Sequence, residues 1–404
     1  MHPSSSLRLG HRLLSHRHNI RNISFVRHSS AARVTVALSR VLHRSIKTSC
    51  VQPRPSALPL VLSSVNLSLP SGPFDDPTVN HRASCNAGSV TAEDEESLLP
   101  LFLHSSLPKR PIGFLRPNVV EEIVRNHAQA GRDSIWNIFR RADDSPWAVT
   151  FADHIADFDA RSQALSAAMK TWRDEGLFPD ILRGWSNEIY PVYTPRQFRR
   201  ERAEASGLAF GIERAALPLF GFVNFGCLLT AFYDCSTTGR TMVWVPRRSF
   251  SKSTWPGRYD CTVGGGMGLG EDPAETIVRE CTEEASLPAE FVKANLRSTG
   301  VLTFMNRSPA KWILPGMYYL YELRLPPDGS VQPRTNVADG EVDSFKLMSI
   351  DEAMELLING EFKPSSAMAL IDFCIRRGII TPDTDPRYLD VCMAMKRPVI
   401  LPLP

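Results

Sequence analysis

The residues whose types and spacing point most directly to chemistry lie in Gly264-Gly265-Gly266-Met267-Gly268-Leu269-Gly270-Glu271-Asp272-Pro273-Ala274-Glu275-Thr276-Ile277-Val278-Arg279-Glu280-Cys281-Thr282-Glu283-Glu284-Ala285-Ser286-Leu287. Glu280, Glu283 and Glu284 stand at i, i+3 and i+4, which puts them on one face of a helix. Three carboxylates at that spacing repel one another unless a cation lies among them. A hard divalent ion that takes oxygen ligands resolves the conflict, and Mg²⁺ with a phosphate substrate is the usual case. Arg279 can reach the neighbouring carboxylates and fix their orientation. The glycines read as a loop directly after a short strand, where backbone amides approach phosphate oxygens; Gly264, Gly265 and Gly266 are therefore candidate substrate contacts. The plainer alternative is a solvated acidic surface helix, and the glycines, the arginine and the caps described next weigh against it.

Those side chains need a helix that starts at a fixed place and a sheet beneath it. Asp272 suits the N-cap, Pro273 the first helical position, and Glu275 completes a capping box. Ala274, Ile277, Val278, Cys281 and Ala285 form the opposite, apolar face, suited to docking on a sheet. Around this helix the pattern is strand-rich: Phe225–Tyr233, Met242–Pro246, Tyr259–Val263, Gly300–Met305 and Met317–Leu325 read as strands. Further helices are expected over Ile350–Ile358 and Ser366–Arg377. Upstream, Pro117–Ala130 and Phe158–Glu175 read as helices, the latter with Leu165, Met169 and Trp172 at core spacing. Strands and helices in mixed order imply an α/β sandwich rather than a regular parallel barrel.

The segment resembles the Nudix box, G-x5-E-x7-R-E-U-x-E-E-x-G-U, where U is a bulky apolar residue. Gly265, Glu271, Arg279, Glu280, Glu283, Glu284 and Leu287 match, Cys281 serves as a U, and Ser286 replaces the glycine that ends the helix. The fold implied is α/β (α+β): a mixed β-sheet sandwiched between helices, preceded by a small α+β N-terminal domain. The activity implied is Mg²⁺-dependent hydrolysis of a diphosphate, with Mn²⁺ as a substitute. Carried over by the resemblance, Glu280, Glu283 and Glu284 hold the metal. Glu271 and Arg279 brace them, and Glu280 is the candidate general base within the box. Relatives often use a carboxylate from outside the box, and Glu341 is the candidate for it.

The flanks narrow the resemblance. Trp244-Val245-Pro246-Arg247-Arg248-Ser249, Lys252-Ser253-Thr254-Trp255-Pro256-Gly257 and Asp260 look like the thiamine pyrophosphokinase-related Nudix proteins, as do Gly184-Trp185 through Val192 and Ile212-Glu213-Arg214-Ala215-Ala216. This implies hydrolysis of thiamine diphosphate, or of its oxidised and damaged analogues, to the monophosphate and phosphate. Arg247, Arg248 and Lys252 are candidate contacts to the diphosphate, and Trp255, Trp312, Tyr318 and Tyr319 candidates for stacking on a flat ring. One departure is Gly316, where an acidic residue is expected after the proline of a W-I-x-P segment. Alternatives are a nucleotide-sugar or dinucleotide pyrophosphohydrolase, an isopentenyl-diphosphate isomerase-like enzyme that would need a reactive cysteine such as Cys261, and a catalytically inactive ligand-binding module.

The remaining sequence bounds organisation and partners. Expected divisions are a mitochondrial targeting segment over 1–50, a disordered linker over 51–92, an N-terminal domain over 93–215, the Nudix domain over 216–385 and a tail over 386–404. The targeting reading rests on eight arginines from Arg8 to Arg44 with no acid before Asp75; a cytoplasmic protein with a disordered tail is the alternative. The net charge of +3 comes from this segment, so the basic balance gives no reason to expect nucleic acid. The eight cysteines show no C-x-x-C pair, which excludes a common zinc or redox motif. Ala216–Tyr233 is uncharged, but Pro218, Gly221 and Asn224 favour a turn and a buried strand over a membrane span. The expected partner is a small-molecule diphosphate, with no nucleic acid and no membrane, and the sequence does not fix an oligomeric state.

Overall fold

The strand with the longest unbroken buried run organises the protein. In the computed structural model, which describes residues 55–64, 67–68, 82–85, 96–106, 110–195, 207–252, 254–308 and 310–404, the run from Asn224 to Asp234 is a single strand at the centre of a six-stranded sheet. Its eight residues Phe225–Phe232 are all buried, which is why the sequence reads as continuously apolar there rather than alternating. Only a single helical turn, Leu217–Phe220, precedes it, so the uncharged stretch is a turn and a strand. Among the described residues no helix is long and apolar enough to cross a membrane.

The strands of this sheet are β10 (Asn224–Asp234), β11 (Thr241–Arg248), β12 (Val263–Gly266), β13 (Leu296–Arg307), β14 (Ile313–Arg324) and β15 (Val342–Ser349), numbered in chain order after nine earlier strands among the described residues. Their order is β13-β14-β10-β11-β15, with β12 also paired to β10. β14 runs parallel to β10, and every other pairing is antiparallel, so the sheet is mixed as expected. Each face of β10 meets a different layer. Phe225, Cys227, Leu229 and Ala231 pack with Ile277, Cys281 and Ala285 of the helix Pro273–Ala285. Leu228 and Phe232 pack with Met354, Leu357, Met368 and Phe373 of the helices Ile350–Ile358 and Pro364–Arg376. The sheet is therefore sandwiched between helices.

The earlier half is a four-stranded sheet of order β5-β4-β7-β6: β4 (Leu99–Phe102), β5 (Gly113–Leu115), β6 (Trp136–Arg140) and β7 (Pro146–Phe151). It carries the helices Pro117–Ala130 and Phe158–Asp174 and a hairpin of β8 (Ile189–Tyr193) with β9 (Leu208–Glu213). Three short strands, β1 (Leu67–Ser68), β2 (Arg82–Cys85) and β3 (Glu96–Ser97), make a further small sheet. Leu165, Met169 and Trp172 are fully buried, so the expected helical stripe is core.

The halves share hydrophobic clusters. Leu98, Phe102 and Phe114 belong with Ile277 and Cys281, while Trp312 belongs with the earlier half. The stretch expected as a linker, 51–92, contains the helix Leu58–Ser64, whose Ala57, Leu58 and Val61 are buried against the helix Pro364–Arg376 cluster. That corrects the reading of a linker without packing at those residues: three apolar side chains at helical spacing find a prepared groove. The tail region also packs, through the helix Tyr388–Ala394 and buried Val399 and Leu401. The targeting segment expected over 1–50 lies outside the described residues.

Candidate active site

Local physics sets where the acidic helix begins. The Asp272 carboxylate accepts from the Ala274 and Glu275 amides at 2.8 and 3.3 Å, and Pro273 occupies the first turn. This is the forward half of the expected capping box. Ser286 ends the helix in the left-handed region, φ 52° and ψ 30°, and Leu287 N–H closes onto Cys281 O at 3.0 Å. The serine thus takes up the conformation usually left to glycine.

The glycines form strand β12 rather than a loop. Gly264, Gly265 and Gly266 pair with Leu228, Cys227 and Gly226, and the Gly264 amide donates to Glu284 Oε2 at 3.2 Å. The expected loop is thus a strand, and all three glycines line the cavity described below. What they supply is room. A Cβ on Gly265 would collide with the Glu280 carboxylate, and one on Gly266 with the Tyr190 hydroxyl. Absence of side chains lets Glu280 and Tyr190, the latter from the earlier half, meet at one strand.

Arg279 is the internal cation of the acidic face. Its guanidinium lies 3.0 Å from Glu280, 2.8 Å from Glu283 and 3.4 Å from Glu271. Glu271 also accepts from Gly268 N–H at 3.0 Å and Thr276 Oγ1 at 3.1 Å, so it braces the strand-to-helix turn. Glu284 is 9% exposed, and Glu280 is also largely buried. Burial pushes the Glu280 carboxyl up to about 7, with Arg279 opposing and Glu283 and Glu341 adding to the rise. Burial, with Glu280 beside it, also holds Glu284 well above the usual carboxylate range. Among the described residues these side chains do not form a preassembled group of three or more metal ligands, because Arg279 draws Glu280 and Glu283 toward itself. The donor set nonetheless fits a hard divalent ion: oxygen ligands only, with buried carboxyls that favour protons until another cation replaces them.

Glu341 joins this face from the loop before β15. Lys252 Nζ stands 2.6 Å from its Oε1. Burial raises the Glu341 carboxyl, but the Lys252 bond and charge, and a hydrogen bond from Glu284, outweigh it and hold it below the ordinary range. The two carboxyls are thus shifted in opposite directions, Glu284 up and Glu341 down.

The carboxylates line a cavity of about 940 Å³ whose wall also includes Asp180, Glu188, Tyr190 and Arg214 from the earlier half. Of the expected diphosphate contacts, Arg248 and Lys252 line it and Arg247 does not. Arg247 and Arg248 are neighbours on β11, at a register shift against β15. Arg247 lies over the rings of Phe250 and Tyr259, so its expected role is corrected. Arg248 is committed to Asp260 at 2.8 Å and to the carbonyls of Thr254 and Trp255, so it braces the loop beside the cavity. Buried Asp260 also faces Lys363 at 3.5 Å and accepts from Ser366. Tyr318 and Trp255 line the cavity, whereas Tyr319 does not, and Trp312 is buried with its indole N–H on Asp180 at 2.6 Å. Gly316 is explained by Phe304, whose ring fills the space a side chain there would need. Cys261 is buried, its thiol pushed up to about 12 by burial, and it does not line the cavity.

Sequence reasoning missed Tyr190, Glu188 and Lys363 as cavity residues. The aromatic, extended Gly184–Tyr193 segment was the available signal for the first two; Lys363 shows only as a cation before Pro364.

Comparison with known proteins gives the family. A NUDIX domain matches residues 230–369, and a domain of unknown function (DUF4743) matches residues 78–224. The chain is 31% identical over 257 residues to the uncharacterized protein YJR142W of Saccharomyces cerevisiae, covering 61% of this chain and 70% of that protein. It is 31% identical over 234 residues to Nudix hydrolase 24, chloroplastic, of Arabidopsis thaliana, covering 58% of each. An uncharacterized Nudix hydrolase of Nostoc, all7351, is 32% identical over 129 residues, 32% of this chain and 69% of that one. The crystal structure of DR0079 from Deinococcus radiodurans aligns with a TM-score of 0.33 and 23% identity, over 46% of this chain and 98% of that chain. The chain belongs to the Nudix hydrolase family. It spans 58% of the length of the Arabidopsis relative.

Proposed function

We propose that the protein hydrolyses the diphosphate of thiamine diphosphate, or of its oxidised and damaged analogues, to monophosphate and phosphate. The observation that carries the reading is the cavity itself: Glu280, Glu283, Glu284 and Glu341 at one part of its wall, and Tyr190, Tyr318 and Trp255 elsewhere on it. Acidic residues suit a metal-bound diphosphate, and aromatic faces suit a flat heterocycle. The flanking motifs that resemble the thiamine pyrophosphokinase-related proteins supply the choice of heterocycle.

In this reading Glu280, Glu283 and Glu284 would hold Mg²⁺ or Mn²⁺, which would supply neutralisation of phosphate charge and acidification of water. Arg279 and Glu271 keep those carboxylates in place. Glu341, ionised beside Lys252, takes the proton from the attacking water as the P–O bond of the anhydride breaks and the bridging oxygen leaves with one phosphate. This places the base outside the box and leaves Glu280 to the metal. The isomerase alternative lacks a cysteine at the cavity, since Cys261 points into the core.

An organellar location fits the basic, acid-poor segment over 1–50 and the chloroplastic relative; a fluorescent fusion of that segment tests the mitochondrial choice, and diffuse signal removes it. For substrate, purified protein with Mg²⁺ is assayed for phosphate release from thiamine, oxothiamine and oxythiamine diphosphates, and from ADP-ribose and NADH with a phosphatase added to free phosphate from their phosphomonoester products. Highest kcat/KM on a thiamine analogue is expected. Preference for a nucleotide overturns the choice of substrate and keeps the reaction class.

A further inference from the structure

We infer that Arg214, supplied by the segment before the Nudix domain, is a direct ligand of the substrate diphosphate, and that Tyr190 and Glu188 hold it ready. This rests on the reading that a diphosphate occupies the cavity.

The backbone around Arg214 is fixed. Its amide donates to Glu188 O at 2.8 Å, continuing the β8/β9 pairing, and the Glu213 carboxylate accepts from Ala215 N–H at 3.2 Å to cap the turn Arg214–Ala216. From that turn the side chain reaches the cavity wall, where its charge acts on the Tyr190 hydroxyl and its guanidinium lies 3.3 Å from Glu188. Tyr190 in turn abuts Gly266, whose missing side chain makes the space. The arginine is thereby tied to the same strand that carries Glu280's neighbour, Gly265, and its charge acts on Glu341.

Availability separates Arg214 from Arg279, Lys252 and Arg248; the wall's other cations are Lys363, which faces Asp260, and Arg183, which is exposed. Arg279 serves three box glutamates, Lys252 serves Glu341, and Arg248 serves Asp260 and two carbonyls. The Arg214–Glu188 pair has side chains 47% and 48% exposed, so water screens it and little is lost by exchange. A guanidinium gains paired, charge-assisted hydrogen bonds on phosphate oxygens that a half-exposed carboxylate does not match. Glu188 is then a placeholder, and Tyr190 a positioning residue.

The test uses the full chain with Mg²⁺ and methylenediphosphonate, a diphosphate that cannot be hydrolysed, in isothermal titration, alongside steady-state kinetics on thiamine diphosphate. Arg214→Ala is expected to weaken methylenediphosphonate binding and raise KM by about 10- to 100-fold, with a smaller fall in kcat. Arg214→Lys recovers part of the loss, because the charge returns without the fork. Glu188→Gln tightens binding, because the competitor is gone. Binding by Arg214→Ala within about twofold of wild type overturns the inference, as does a Glu188→Gln loss as large as that of Arg214→Ala, which would mark a purely structural triad. Failure of the wild-type chain to bind methylenediphosphonate also overturns it. If the wild type binds the probe through Arg214 yet hydrolyses no thiamine diphosphate, the substrate reading fails and the inference stands.

Discussion

Lys252 Nζ lies 2.6 Å from Glu341 Oε1, joining the loop after β11 to the loop before β15. The lysine holds the carboxylate ionised, below its ordinary range despite burial. Replacing Lys252 with Met therefore raises the Glu341 pKa. If Glu341 is the base, the acid limb of the kcat–pH profile moves to higher pH in Lys252→Met, and Glu341→Gln loses that limb with most of the activity. An unmoved acid limb in a folded Lys252→Met protein removes Glu341 from the role.

The box carboxylates give a second prediction. Glu283→Gln or Glu284→Gln is expected to cut turnover by about 10²-fold or more while the fold persists, since a metal ligand stabilises the developing charge. Circular dichroism and thermal melting check the fold. Glu283 is exposed at the helix surface, so its variant is the cleaner of the two.

Burial of Glu280 makes stability depend on pH in a direction opposite to an ordinary surface carboxylate. Its pKa rises from 4.5 to about 7 on folding, so the native state binds the proton more tightly than the unfolded chain. That contribution is present at low pH and is lost as pH rises through about 7. In chelator, denaturant titrations are expected to show a stability component that falls between pH 4.5 and about 7 and is absent in Glu280→Gln. Added Mg²⁺ stabilises more at the upper end of this window, where protons no longer compete.

Ser286 sits at φ 52° where the family pattern has glycine. A non-glycine residue there costs about 1 kcal/mol. Ser286→Gly should raise the melting temperature by about 2 °C and leave turnover close to wild type. A lower melting temperature would show that the serine side chain contributes more than the backbone conformation costs.

How much of this was legible in the sequence follows from what each feature depends on. The helix start at Asp272 and Pro273, its acidic and apolar faces, and the bracing by Arg279 are local, set by spacing along one helix. Strand β10 was legible because burial on both faces leaves a continuous apolar run. The glycines were misread because a strand without side chains and a phosphate loop have the same composition; only the facing Glu280 and Tyr190 distinguish them. Arg247 was misplaced because the sequence does not say which strand residues face the cavity. The packed helix Leu58–Ser64 was hidden by the proline- and serine-rich stretch around it. Tyr190 and Arg214 reach the cavity through the hairpin of the earlier half, a tertiary relationship; the aromatic, extended segment around Tyr190 marked that strand but not where it lies.

The central claim is a metal-dependent diphosphate hydrolase centred on the acidic helix. Phosphate release from thiamine diphosphate by the full chain, with Mg²⁺ and with chelator, compared between wild type and Glu283→Gln, tests it most directly. The account predicts release by the wild type with Mg²⁺, none with chelator, and a loss of about 10²-fold or more in the folded variant. Equal release by wild type and folded variant, or release that chelator does not diminish, would contradict it.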